Sequence, residues 1–164
     1  MEISTPRLTL RAFGSADAPA LHRAFIESEV HLRPWIRLPD ALPSLETLEA
    51  RLARFQAWFR ADERYHFAVV RRACGSFVGS VILCPDRDEM DLSYWLRHDQ
   101  TGQGFAMEAV GAVGEVALRR PQTRRLNIFC QRHNFRSARV AARLGFVRAA
   151  EAGNIVRWEL TRPS

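Results

Sequence analysis

Residues 94–110 read Tyr94-Trp95-Leu96-Arg97-His98-Asp99-Gln100-Thr101-Gly102-Gln103-Gly104-Phe105-Ala106-Met107-Glu108-Ala109-Val110. A strand-like run, a loop with two glycines and the start of an apolar helix follow one another without a break. Glycines let a backbone come close to an anion, and the first N–H groups of a helix point outward without intrahelical partners. Together these parts form an anion site. Two nucleotide-binding loops can be tested against it. A dinucleotide fingerprint needs a third glycine, where the chain has Met107, and an acidic residue about 20 positions on, which is missing. A P-loop needs a Gly-Lys pair, and the chain contains no Lys. Two readings remain open: a diphosphate cradle of another kind, or two glycines that shape a tight turn.

Outward from this segment the pattern alternates between strands and helices. Upstream, residues 8–13 alternate apolar and polar, as a strand does, and residues 17–29 place Ala18, Leu21, Ala24 and Phe25 on one helical face. Pro34, Pro39 and Pro43 make 30–43 an irregular loop containing Trp35. Ser44 is placed to cap a helix that runs to about Asp62, with Glu46 in its first turn and Leu45, Leu48, Leu52, Phe55 and Phe59 at three- and four-residue steps. Residues 67–70 and 77–83 read as a hairpin turning at Gly75, and 91–96 as the next strand. Downstream come a helix carrying Met107, Val110, Val113 and Val116 and ending before Pro121, a strand over 125–130, a helix over 137–144, and two strands around Gly153-Asn154. The order is β-α-α-β-β-β-α-β-α-β-β. It predicts an α/β (α+β) fold with a mixed sheet of about seven strands in one domain, 1–164.

Composition narrows the chemistry. With 164 residues, 47% of them hydrophobic and 26% charged, the chain has the make-up of a globular domain and not of a disordered or low-complexity segment. Charged residues interrupt every apolar run before the roughly 20 residues a membrane span needs, and the N-terminus shows no secretion signal. A cytoplasmic protein is the expectation. All 24 basic residues are Arg, which removes Schiff-base catalysis by Lys. The net charge of +6 suits an anionic partner: nucleic acid, a phosphorylated cofactor or an acidic substrate. It is equally what a genome that prefers Arg would produce. Cys74, Cys84 and Cys130 form no CxxC pair, and His22, His31, His66, His98 and His133 show no metal-ligand spacing. No metal is expected.

Four motifs in register resemble one family. Gly102-Gln103-Gly104-Phe105-Ala106, after a Tyr-Trp strand and before a helix, resembles the acyl-CoA loop of the GNAT acetyltransferase superfamily. Asn134 and Ser137 ahead of Leu144-Gly145-Phe146 are similar to its second signature. The opening Thr5-Pro6-Arg7-Leu8-Thr9-Leu10-Arg11 looks like the start of the same family, and Leu32-Arg33-Pro34-Trp35-Ile36 like its RimJ/RimL subgroup of ribosomal-protein N-terminal acetyltransferases. The resemblance implies the GNAT fold, with helices on both sheet faces. It further implies acetyl-CoA as donor, direct transfer in a ternary complex, and a primary amine as acceptor, either a protein N-terminus or a small molecule.

It also implies roles. The N–H groups of Thr101, Gly102, Gln103, Gly104, Phe105 and Ala106 would hold the pyrophosphate, and Tyr94, Trp95 and Leu96 would pair with the pantetheine arm and support the oxyanion. Asn134 would bind the arm, cap the helix near Phe135, or do both. Ser137 would donate a proton on the thiol side, or it would cap the first helical turn; the Tyr used by other branches is replaced by Ala141. Asp91 is the expected base and acceptor-pocket residue, with His98 and His66 as alternatives; pairing of Asp91 with a neighbouring Arg is the structural alternative. Trp35 is expected to wall the acceptor pocket. The family loop usually opens with Gln or Arg, and Thr101 departs from it, so Arg97, Arg136 or Arg139 would have to compensate at the phosphates. Two other readings stand beside this one: a CoA-binding sensor or scaffold without transfer activity, and a basic RNA- or ribosome-binding module. The scattered arginines, without interleaved aromatics, count against the second. Monomer and homodimer both remain open.

Overall fold

The computed structural model describes residues 1–162. In chain order the elements are β1 (Glu2–Ser4), β2 (Leu8–Ala12), α1 (Ala18–Leu32), α2 (Leu45–Arg60), β3 (Tyr65–Arg71), β4 (Phe77–Asp86), β5 (Glu89–Leu96), α3 (Phe105–Leu118), β6 (Arg125–Gln131), α4 (Phe135–Arg143), β7 (Val147–Ala152) and β8 (Ile155–Thr161). The strands form one mixed sheet in the order β1-β2-β3-β4-β5-β6-β8-β7. This is the expected fold with eight strands among the described residues instead of seven. The additional one, β1, is three residues long and pairs antiparallel with β2, too short to show a periodicity in the sequence.

Local chemistry explains the helix starts. Ser44 has an extended backbone and its Oγ accepts from the Thr47 N–H at 3.2 Å, capping α2 as expected. The Asn134 side chain does the same for α4, accepting from the Ser137 N–H at 3.1 Å. Helices α1 and α2 bury Leu21, Phe25, Leu48 and Leu52 against one sheet face with Phe13, Ala68 and Phe77. Helix α3 buries Phe105, Val110 and Val113 against the other face with Tyr65, Phe67, Leu126 and Ile128, and α4 packs beside it on β6 and β7.

One pairing positions the site. Strands β5 and β6 run parallel, joined by the α3 crossover, but they pair only over 89–91 with 125–127. Beyond Asp91 and Asn127 they separate. From there to Leu96, β5 is paired only with β4, so alternate backbone groups on its other edge face the gap. Tyr94 belongs with the α3 side of the sheet and Trp95 with the α1–α2 side.

Candidate active site

Between β5 and α3 the chain makes a short 3-10 turn, His98–Gln100, and then passes through Gly102 (φ 76°) and Gly104 (φ 81°). Both are left-handed conformations that strain any residue with a side chain. The reversal turns the N–H groups of residues 102–106 away from the protein: among the described residues no backbone group accepts from them. They lie at the N-terminus of α3, where the helix dipole adds positive potential.

The N-terminal segment locks this loop. Glu108, in the first turn of α3, accepts from the Thr5 hydroxyl at 2.5 Å, from the Arg7 N–H at 2.8 Å and from Arg7 Nε at 2.6 Å. Arg7 also donates to the Gln103 carbonyl at 2.9 Å. The Phe105 ring lies against both the Arg7 and the Arg71 guanidiniums, 4.6 and 4.8 Å from its centroid. Burial alone would raise the Glu108 carboxyl; its hydrogen bonds from Thr5 and Arg7 outweigh that and hold it below the ordinary range. The Thr5-Pro6-Arg7 opening is therefore tied to the glycine loop and to the first turn of α3. Sequence reasoning singled out this motif without finding its partner, because Glu108 is distant in the chain.

A cavity of about 440 Å³ opens above the loop. Of the residues named from sequence, Trp35, Tyr94, Trp95, Leu96, Thr101, Gly102, Gly104, Phe105, Ala106, Asn134, Arg136, Ser137 and Arg139 line it, and Asp91, Gln103, Arg97, His98 and His66 do not. Gln103 is turned back, its amide donating to the Asp99 carbonyl at 3.1 Å and accepting from Arg71 at 2.5 Å. Asp91 lies instead at the vertex where β5 and β6 part: Asn127 Nδ2 donates to it at 3.1 Å and to Glu89 at 2.8 Å. Asp91, the expected base and acceptor-pocket residue, lines neither this cavity nor the second one, and its carboxylate serves the buried Asn127 side chain, which needs acceptors. Trp35, expected to wall the acceptor pocket, lines this cavity, and its neighbour Ile36 lines both this and a second one. Thr101 is folded inward, its hydroxyl donating to the His98 carbonyl at 2.8 Å.

Among the compensating arginines, Arg97 is held by Glu27 at 2.9 Å and Asp99 at 3.1 Å and does not line the cavity. Arg136 and Arg139 do, joined by Arg143, which the sequence reading missed although it lies four residues beyond Arg139 on the same helical face. None of these three makes an ion pair among the described residues, which leaves three cations directed at one wall.

Deeper in the cavity, the Tyr94 hydroxyl donates to Ser137 Oγ at 3.1 Å. Burial pushes the Tyr94 phenol up to about 12, with the Ser137 hydrogen bond acting the other way. It is therefore a neutral donor at physiological pH. Burial also pushes the adjacent Cys130 thiol up, against hydrogen bonds with Trp158 and Ser137, so it is no thiolate nucleophile. His98 does not line the cavity; its ring lies 4.9 Å from that of His31, which does, and burial foremost holds His31 below its ordinary value.

On the opposite sheet face a second cavity, of about 250 Å³, lies under α1 and α2. Ile36, Tyr94 and Trp95 line both cavities, so the two meet across β5. His66 lines the second one, 7% exposed, stacked on Phe55 at 3.7 Å, and its Nε2 has no hydrogen-bond partner. Burial, then the charge of Arg64, pushes its imidazole down to about 4. The unfolded chain, with an ordinary imidazole near 6.5, binds the proton first. Stability is thus full above about pH 6.5 and falls by about 3 kcal/mol as pH drops through the window to about 4. His66→Phe should remove most of that fall in denaturant melts at pH 7 and pH 4.5; an unchanged pH slope in the variant would count against a buried neutral imidazole.

Among the described residues no cluster of three or more His, Cys, Asp or Glu is placed to hold a metal, and no helix is long and apolar enough to cross a membrane.

Comparison with known proteins adds three findings. A family model described as an acetyltransferase (GNAT) domain matches residues 7–147. No curated protein matches the sequence at a significant level. Solved structures match closely in fold at low identity. RimL, a ribosomal L7/L12 alpha-N-protein acetyltransferase in complex with coenzyme A, has a TM-score of 0.88 at 20% identity, covering 98% of both chains. A ribosomal-protein-S5-alanine acetyltransferase from Vibrio fischeri has a TM-score of 0.89 at 21% identity, covering 99% of this chain and 97% of the other. The microcin C7 self-immunity acetyltransferase MccE, in complex with acetyl-CoA and AMP, has a TM-score of 0.85 at 14% identity over 96% and 93%.

Proposed function

The chain belongs to the GNAT acetyltransferase domain family, and from that premise we propose that it is an acetyl-CoA-dependent N-acetyltransferase acting on a primary amine by direct transfer. One observation carries the reading: two cavities on opposite sheet faces meet at Tyr94 and Trp95, where β5 has an unpaired edge. That is the arrangement two substrates need if they are to react without a covalent enzyme intermediate.

The residues of the first cavity fit an acyl-CoA. The free N–H groups of 102–106 and the α3 N-terminus suit a pyrophosphate, and Arg136, Arg139 and Arg143 suit its phosphates. The unpaired edge of β5 offers backbone groups to an amide-containing arm, and Asn134 lines the same wall. When bound, acetyl-CoA supplies a thioester as electrophile and a thiolate as leaving group. Ser137 Oγ, polarised by the Tyr94 hydroxyl that donates to it, delivers a proton toward the sulfur position, Tyr94 replenishes it, and the proton that the attacking amine loses, passed on through solvent, restores the pair. Backbone N–H groups of the free β5 edge support negative charge on the acyl oxygen. The wall between the cavities keeps the acceptor on the side of Trp95.

Calorimetric titration of the purified chain tests this. Saturable binding of acetyl-CoA in the micromolar range, about −8 kcal/mol, is expected, with no comparable heat from ATP or NAD. Asn134→Ala should weaken binding about tenfold and cost about 1 kcal/mol of stability through loss of the α4 cap. No saturable heat with acetyl-CoA would sink the reading.

A further inference from the structure

The charge and lining of the second cavity carry an inference that rests on its being the acceptor site. Its walls are apolar and aromatic: Phe13, Phe25, Phe55 and Trp95 line it. The charged side chains lining it are Arg37, from the loop between α1 and α2, and Arg51, from α2. Neither forms an ion pair among the described residues, in a chain where many arginines do. No carboxylate lines this cavity. The remaining polar group of note is the His66 imidazole, more than nine-tenths buried and without a partner at Nε2.

Each feature restricts the occupant. A cavity without carboxylates and with two unneutralised guanidiniums repels a polycation at any ionic strength that leaves charges unscreened across its width. An unpaired pair of arginines from two different elements is an incomplete site for a carboxylate, which guanidiniums bind in planar, two-pronged fashion. Aromatic walls reward an apolar body. A buried nitrogen without a partner costs free energy until a ligand supplies one.

We propose that the second cavity binds an amine with an apolar body and a carboxylate, the body between the aromatic walls and the carboxylate at Arg37 and Arg51. Two sources share this chemistry: a free hydrophobic amino acid, and a polypeptide N-terminus with an apolar first residue followed by an acidic one. Polyamines and aminoglycoside-like polycations are excluded. The absence of a negative charge in the cavity also favours the amine in its neutral, nucleophilic form over the ammonium.

The test needs no donor. The unloaded chain is titrated with L-phenylalanine, phenethylamine, the amide of the dipeptide Phe-Glu, and spermidine. Expected are binding of at least one anionic ligand at least tenfold tighter than phenethylamine, and no saturable binding of spermidine. Tighter binding of the dipeptide amide assigns the source to a polypeptide, and tighter binding of phenylalanine to a free amino acid. In the Arg37→Gln/Arg51→Gln double variant, whose two sites are exposed and whose fold is checked by circular dichroism, the tenfold preference should collapse to about one. Phenethylamine or spermidine binding as tightly as the anionic ligands overturns the proposal, as does failure of every anionic ligand to bind or a preference that survives in the double variant. Titration with acetyl-CoA is the separate arm. If acetyl-CoA fails to bind, the reading of the first cavity falls while the amine titrations still decide the second.

Discussion

Ser137→Ala is expected to lower kcat about 100-fold while acetyl-CoA affinity changes less than about twofold. Loss of a positioned proton donor costs on the order of 10²–10⁴ in rate. The Ser137 side chain makes its hydrogen bond with Tyr94, while the α4 cap is provided by Asn134 to the Ser137 backbone, so the substitution leaves the helix start in place. Tyr94→Phe removes the donor behind Ser137 and should slow transfer by a smaller factor, about tenfold. Its absence should also change the alkaline limb of the rate profile, because the phenol titrates only near about 12 in the folded chain. Thiol release read against a calorimetric dissociation constant separates the two effects. An unchanged kcat for Ser137→Ala would refute the assignment of its hydroxyl to the thiol side.

Gly79→Ala is the largest stability change we expect at one position. A Cβ there would lie 2.2 Å from the Trp95 carbonyl oxygen and 2.8 Å from the Leu96 Cα. Both are backbone atoms of the adjacent strand, and Gly79 pairs with Leu96 in the sheet. Flexible side chains could move aside; a paired strand cannot without breaking its ladder. Overpacking of this kind costs about 3 kcal/mol, or about 10 °C in melting temperature for a chain of this size. Because the displaced residues lie where the two cavities meet, the fraction that folds should also lose kcat/KM. Gly75→Ala is the control: its added Cβ meets nothing within 4 Å, and only its positive φ of 69° opposes the change, so a loss of about 1 kcal/mol is expected. Equal melting temperatures for the two variants would refute the steric account.

Much of the site was legible before the fold. Gly102 and Gly104 announced the loop because only glycine takes their φ without strain. Asn134 and Ser137 were legible because capping chemistry and motif spacing are local. Ser44 and the apolar face of α2 could be placed for the same reason. Where a side chain points across the sheet was not legible. Asp91 was expected at the acceptor and lies at the strand vertex, because Asn127, 36 residues away, takes its carboxylate as a hydrogen-bond acceptor. Trp35 was expected at the acceptor pocket and lines the cavity above the glycine loop, a placement that a proline-rich loop without periodicity did not reveal. Arg97 looked like a phosphate ligand from its place beside the loop, but Glu27 on α1 neutralises it.

The sequence alone determined the element order, the family and the glycine loop ahead of α3. Those depend on hydrophobic period, backbone conformation and caps, which are set within a few residues along the chain. Only the tertiary structure decided the separation of β5 from β6, the fixing of the loop by Thr5, Arg7 and Glu108, the pairing of Tyr94 with Ser137, and the carboxylate-free cavity under α1 and α2. Each joins residues distant in sequence. Their juxtaposition depends on strand register and helix packing, and which charge is left without a partner is known only once every other charge has found its own.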